Sequence, residues 1–407
     1  MPSVDVDIVI LGGGLLGMCI AALVSQDAPD RDVLVCRLSD RQVPHADTLR
    51  NQSWLQSGLR YFKAGQLGDR FRFAKRMYAA RKALHDAVAF PLPTGIGVFR
   101  MRDEAEATEL VARAQQFGVS VQRLDDAQAR ALLGDTFFES GSPYFVTPET
   151  TFEEAAILDE LRARVAIRGN AREVAAPVTL VQDKSAPCGL VLDLGSVSIR
   201  AATTILAAGA GNIPLLGHVG LQSELQIDTT PLLVITDGAI VPKARVFVDR
   251  VRECSVICHP PSAALPKGSL VIGVDGTTQR DVAFAAPAER RIPVALCERL
   301  WAALPSSLRA SHATQSRVTA GFEVKHRGAM TSSEPWISPG FDGFPGLVAA
   351  IPGRATLSMS VASDVVARVR SAGRHQLEHF QEPHWTDAIH MHHTPFYDRM
   401  NDREAGG

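Results

Sequence analysis

The segment VDVDIVILGGGLLGMCIAALVSQ, which begins at Val4, limits what this chain can become more than any other stretch. Ile8 to Leu11 form an unbroken apolar run, the pattern of a parallel strand buried on both faces. Gly12, Gly14 and Gly17 then complete a GxGxxG turn around Leu15 and Leu16, and apolar positions continue as a helix to Val24. The first glycine permits a tight turn, the second lets backbone approach a pyrophosphate, and the third lets helix and strand pack closely. Backbone amides at the helix start are suited to phosphate. A second buried strand, Val33 to Cys36, follows at the expected distance. In that order these elements predict a dinucleotide-binding unit. The acid expected at the end of the second strand, to bind the adenosine ribose hydroxyls, is replaced by Arg37. Arginine there can signal a 2′-phosphate and hence NADP, so this segment alone leaves the cofactor open.

Length and charge narrow the partners. The 407 residues carry 42 Lys and Arg against 44 Asp and Glu, a net charge of −2. That balance argues against nucleic acid, which demands a cationic excess, and favours a small-molecule substrate. With 46% hydrophobic residues the chain can bury the cores of two or three domains. Cys19, Cys36, Cys188, Cys254, Cys258 and Cys297 form no CxxC or zinc-ligand spacing, so no metal site is expected and reduced, buried thiols are. Asp5 and Asp7 precede the apolar run from Ile8 to Val24, which contains four glycines, so it reads as neither signal peptide nor membrane span. A cytoplasmic protein is the expectation. The basic stretch Arg70, Arg72, Lys75, Arg76, Arg81 and Lys82 alternates with apolar residues and reads as the solvated face of a helix. The tail beyond residue 372 holds half of the twelve histidines at irregular spacing and reads as a surface segment.

Three further segments place small residues or a helix start at a strand end, where open α/β sheets bind ligands. These are DTLRNQSWLQSGLRYF from Asp47, VSIRAATTILAAGAGN from Val197, and FPGLVAAIPGRATLSMSVASDVVARV from Phe344. With these in place the chain resembles the FAD-dependent oxidoreductases of the D-amino-acid oxidase superfamily, including glycine and sarcosine oxidases and FAD-dependent glycerol-3-phosphate dehydrogenases. The resemblance runs from Asp7 to about Val369. It implies that Arg50, Asn51, Gln52 and Ser53 run along the FAD pyrophosphate towards the flavin. It also implies that Ala208 and Gly209 lie in a second glycine motif, and that Gly353, Arg354, Ala355 and Thr356 form the turn over the flavin pyrimidine. Val174 matches the position whose backbone meets adenine. FAD is thereby favoured over NADP, with Arg37 an anomaly inside an FAD site. Where some relatives attach FAD through histidine this chain has Leu55, so noncovalent FAD is expected.

The expected architecture is α/β, with an α+β second domain: a Rossmann-type FAD-binding domain interleaved with an antiparallel or mixed-sheet substrate domain. The FAD-binding domain draws on residues 1–90, 145–215 and 320–372, and the substrate domain on 91–144 and 216–319, leaving 373–407 as a tail. Within the second domain, strands are expected at Gly95 to Met101 and Val119 to Gln122 around a helix at Glu104 to Phe117. LQID, PLLVIT, RVFVDR, CSVICH and SLVIGVDG read as successive antiparallel strands, and a helix is expected from about Pro293 to Leu304.

The resemblance implies hydride transfer to flavin from the carbon bearing nitrogen, with oxygen or a quinone-type acceptor taking the electrons. Relatives often carry a histidine where this chain has Gln56, and a substrate-binding arginine where it has Glu323. Loss of that arginine disfavours a simple amino-acid carboxylate and makes a cationic or amide-bearing substrate attractive. Substrate-side candidates are Gln56, Arg60, Tyr61, His259, Lys325 and His326. All but Gln56 have a structural alternative: Arg60 pairing with an acid, Tyr61 packing, His259 ending a strand, and Lys325 with His326 lying solvated after one. The leading expectation is oxidation of a C–N bond in an amine or amino-acid derivative. The rivals are a C–O dehydrogenase of a hydroxy acid or polyol and a noncatalytic flavin-binding protein.

Overall fold

The computed structural model describes residues 2–38, 54–61, 76–77, 79–80, 83, 95–151, 154–236, 242–259, 268–280, 292–311, 316–327 and 334–372. The opening unit is β1 (Ser3–Leu11), α1 (Leu15–Asp27) and β2 (Val33–Leu38). Ile8 and Ile10 enter one hydrophobic layer while Val9 and Leu11 enter another, so the run is buried on both faces. The short strand β3 (Trp54–Leu55) follows. Next come β4 (Gly97–Arg100), α2 (Glu104–Phe117), β5 (Gln122–Leu124), α3 (Asp126–Phe137) and β6 (Tyr144–Thr147). Asp103 caps α2 by accepting from the Glu106 amide, and a reciprocal Asp125–Gln128 box caps α3.

The chain then supplies β7 (Thr150–Thr151), which pairs with β3, and α4 (Glu154–Arg168). These lead to β8 (Ala171–Ala176), β9 (Thr179–Gln182), β10 (Leu190–Asp193), β11 (Ser198–Leu206) and α5 (Asn212–His218). A run of strands follows: β12 (Leu225–Ile235), β13 (Val246–Asp249), β14 (Cys254–His259) and β15 (Ser269–Val274). After α6 (Val294–Ala302) and α7 (Ser306–Ser311) comes β16 (Ser316–His326). β17 (Trp336–Ile337), β18 (Leu347–Ile351) and α8 (Ser358–Ala372) close the described chain.

The strands make two large mixed sheets, as the α/β reading expects. The first has the order β17-β18-β11-β1-β2-β8. Its strands from β18 to β8 run parallel, and β9 and β10 extend it antiparallel from β11. Helices α1, α4 and α8 share the hydrophobic layer over one face. The second sheet has the order β16-β12-β15-β14-β13-β4-β6-β5 and is antiparallel except where β4 meets β13. It docks on the first at one corner, where Leu225, Ile227 and Val324 pack with Ala210 and Ile351. That corner is the C-terminal end of β11 and β18. Among the described residues, no helix is long and apolar enough to cross a membrane.

Three local expectations need correction. LQID and PLLVIT are one strand, β12, with Pro231 inside it. The Thr229 amide points to the Gln279 carbonyl, so by the two-residue alternation the missing Pro231 N–H falls on the same side, before pairing with β15 begins at Leu233. The strand expected from Val119 begins at Gln122 instead, because the Val119 and Gly118 amides bond back to Ala114 and Gln115 and close α2. The boundaries drawn at 144/145 and 319/320 cut through β6 and β16, both members of the second sheet. Alternating hydrophobicity marks a strand without saying which sheet it joins.

Candidate functional site

The glycine turn sits where three parallel strands end. The Gly12 amide donates to the Cys36 carbonyl at 2.9 Å, and the Ala207 amide donates to the Leu11 carbonyl at 2.8 Å. Gly12 has φ +128°, and a Cβ there would lie 2.4 Å from the Ala207 carbonyl oxygen. A Cβ on Gly17 would lie 1.8 Å from the Gly12 carbonyl oxygen. Backbone fills both positions, so any side chain must break the turn. Gly14 is the N-cap of α1; no side chain caps the helix and no acid stands in its first turn. Its positive end is therefore not cancelled by a carboxylate of its own, which suits a phosphate. Leu15 and Leu16 face inward.

Around this turn lie the other residues expected to hold the cofactor. Val174 sits on β8 opposite Cys36, and Arg37 pairs with Ala175. The Arg37 stem lies over Gly13, with its Cβ and Cγ 3.1 and 3.2 Å from where a Gly13 Cβ would be. Glu173 Oε1 is 3.2 Å from the same point. Ala208 and Gly209 follow β11, and the Ala208 amide donates to Asn212 Oδ1 at 2.9 Å. Asn212 Nδ2 also donates to the Leu206 and Ala350 carbonyls, stapling the ends of β11 and β18 together.

The turn after β18 carries Gly353, Arg354, Ala355 and Thr356. Thr356 Oγ1 accepts from the Gln56 amide at 3.4 Å, which brings the segment after β3 onto this turn. That segment is anchored by a carboxylate: Glu149, fully buried, accepts from Trp54 Nε1 at 2.8 Å and from both the amide and hydroxyl of Ser57. The Gln56 side chain is buried too, and its Oε1 has no partner among the described residues. Glu173 Oε1 and the Ser358 hydroxyl share that property. Buried polar atoms normally have partners, so the open atoms of Gln56, beside the 353–356 turn, and Glu173, beside the Gly12–Gly17 turn, fit places where a polar ligand donates.

The substrate-side candidates are mostly engaged. Arg60 donates to the Ser255 hydroxyl at 2.8 Å, pairs with Asp275 and lies over the Trp54 ring. Lys325 pairs with the buried Asp228, whose other oxygen accepts from Gln226. His326 contacts Glu224 at 2.6 Å and stacks on Trp336 with ring centroids 5.1 Å apart. Arg354 Nη1 donates to Glu323 Oε1 at 2.6 Å, so the acid that stands for the usual arginine holds an arginine of the 353–356 turn. His259 is the last residue of β14, paired with Ser269, and by alternation shares a face with Ser255 and Ile257. Tyr61 ends a short helical turn, Leu59–Tyr61. Its side chain lies outside the described residues, as do Arg50, Asn51, Gln52, Ser53, the tail histidines and all the basic stretch except Arg76.

A parallel sheet with a bare glycine turn at its ligand edge, met at one corner by a mixed sheet, defines a dinucleotide-binding fold. The chain belongs to the DAO family of FAD-dependent oxidoreductases, whose model matches residues 7–364. Its cofactor is FAD. No curated protein sequence matches it. Among solved structures it is similar to glycine oxidase from Geobacillus kaustophilus, with a TM-score of 0.64 and 16% identity over 89% of this chain and 95% of that one. Iminodiacetate oxidase from Chelativorans sp. BNC1 gives 0.66 at 15% identity, over 89% and 95%. Reduced L-α-glycerophosphate oxidase from Mycoplasma pneumoniae, with FAD bound, gives 0.68 at 14% identity, over 94% and 97%.

Sequence reading overlooked Glu149, Glu173, Asn212 and Ser358. For Asn212 and Ser358 a signal existed: each directly follows a small-residue segment already singled out, GAG and GRATL. For Glu149 and Glu173 there was none, because only packing shows which carboxylate oxygens are buried.

Proposed function

We propose that the enzyme oxidises a C–N bond of an amine or amino-acid derivative. Bound FAD supplies a two-electron acceptor for a hydride from the carbon bearing nitrogen, which leaves an imine that water can hydrolyse. The chain's own task is to hold and orient. In this reading Gly12, Gly14, Leu15, Leu16 and Gly17 cradle the pyrophosphate, Val174 and Arg37 flank the adenosine, and Ala208 with Gly209 supports the second glycine motif. Gly353, Arg354, Ala355 and Thr356 turn over the flavin. Gln56, tied to Thr356 and carrying an open acceptor, is the side chain best placed to meet the flavin or its substrate.

The observation that carries the amine reading is charge pairing. Lys325, Arg354 and Arg60 each hold a carboxylate, through Asp228, Glu323 and Asp275. A phosphate-bearing polyol needs a cation to itself, since desolvating two negative charges against satisfied pairs is costly. A neutral or cationic amine makes no such demand. Anaerobic titration separates the readings. Amines and amino-acid amides are expected to bleach the yellow flavin band, with ammonia or a carbonyl product on reoxidation. Bleaching by hydroxy acids or polyol phosphates alone, with transfer to a quinone dye, establishes the C–O alternative instead.

A further inference from the structure

We propose that Glu173, on β8, is the carboxylate that receives the adenosine ribose hydroxyls of FAD, replacing the acid that Arg37 displaced from the end of β2. The inference rests on the reading of the Gly12–Gly17 turn as the pyrophosphate site. Ribose hydroxyls that donate need an acceptor, and a guanidinium has none. Arg37 therefore cannot do the work of the missing acid. The register of β2 and β8 sets Glu173 beside Val35 and Ala175 beside Arg37. Parallel neighbours in register share a face, and residues two apart along a strand do as well, so Arg37 and Glu173 lie on the same face of the sheet. Both reach the glycine turn, converging on Gly13.

The carboxylate is held for this purpose. Arg162 Nε, from α4, donates to Glu173 Oε2 at 3.1 Å and fixes the group's orientation. Among the described residues, Oε1 is left buried and without a partner. A carboxylate oxygen in that state is expected where a ligand brings the donor. The arrangement also bears on Arg37: with its stem laid over Gly13 and a carboxylate alongside, the pocket repels a 2′-phosphate, which is why arginine here does not make an NADP site.

The test measures FAD affinity of the apoprotein by quenching of flavin fluorescence, with FAD and with its analogue lacking the adenosine 2′-hydroxyl. Glu173→Ala is expected to weaken FAD binding about 10- to 100-fold, the usual worth of a charged hydrogen bond. The parent protein should prefer FAD to the deoxy analogue, and that preference should vanish in Glu173→Ala. Arg162→Met, which removes the carboxylate's anchor but not the carboxylate, should keep a reduced preference. Unchanged apoprotein melting temperature separates lost binding from lost folding, and Glu173→Gln serves if the alanine variant melts early. A parent that binds FAD while Glu173→Ala and Glu173→Gln keep both affinity and preference overturns the Glu173 assignment alone. A parent that does not quench FAD at all overturns the underlying reading of the turn.

Discussion

The ligand edge of the first sheet and the corner where the second sheet meets it are built on opposite rules. At the edge, backbone does the shaping: Gly12 and Gly17 leave no room for a side chain, and Gln56, Glu173 and Ser358 keep polar atoms buried and unmatched among the described residues. At the corner, side chains do it, and the charges are matched in pairs: Lys325 with Asp228 and Arg354 with Glu323. An unmatched buried polar atom costs stability until something binds, while a matched pair costs it only when one partner is removed. In the proposed reading the edge is thus poised for its cofactor, while the corner's charged pairs are already satisfied.

The sharpest break of this contrast is Gly17→Ala. Its Cβ meets backbone rather than a yielding side chain, so the variant should lose about 3 kcal/mol of stability and purify colourless, read by denaturant melts and flavin absorbance. Full retention of FAD would show that the edge is softer than its geometry. At the corner, Lys325→Met should cost about 3 kcal/mol by stranding the buried Asp228 carboxylate, whereas Lys325→Met with Asp228→Asn should recover most of the loss. Equal costs for the single and double variants would mean the pair is incidental. Between the two regions, Glu149→Gln should cost about 2 kcal/mol, since it weakens bonds to Trp54 and Ser57 that hold the Gln56 segment. A slower flavin reduction should accompany it.

Two smaller effects sharpen the picture. Acid precipitation should release the flavin into the supernatant, because Leu55 offers no nucleophile where some relatives use histidine; yellow retained in the pellet would disprove noncovalent attachment. Burial pushes the thiols of Cys19, Cys36, Cys254 and Cys258 up to about 12, so near neutral pH they stay protonated and unreactive. Alkylation of the folded protein should therefore reach the half-buried Cys297 first, by peptide mapping, with no change in stability.

Much of the first sheet was legible from residue order alone. A buried strand, three glycines, a helix and a second strand are local patterns, and local patterns survive without knowledge of the rest of the chain. The same holds for α2, whose bounds Glu104 and Phe117 follow from an Asp cap and a following glycine. Sheet membership was not legible in the same way: β6 and β16 carry no mark of which sheet they join, and Pro231 reads as a break until its neighbour strand is seen to start two residues later.

What the sequence determined by itself was the dinucleotide unit, because glycine requirements are written in the backbone at fixed spacing; the family and FAD came from a resemblance spread over several segments. Only the tertiary structure decided which charges are spent on one another. Glu323 meets Arg354 across 31 positions, and Lys325 meets Asp228 across 97. Such pairings depend on how separate strands are brought side by side, and no spacing in the chain encodes them.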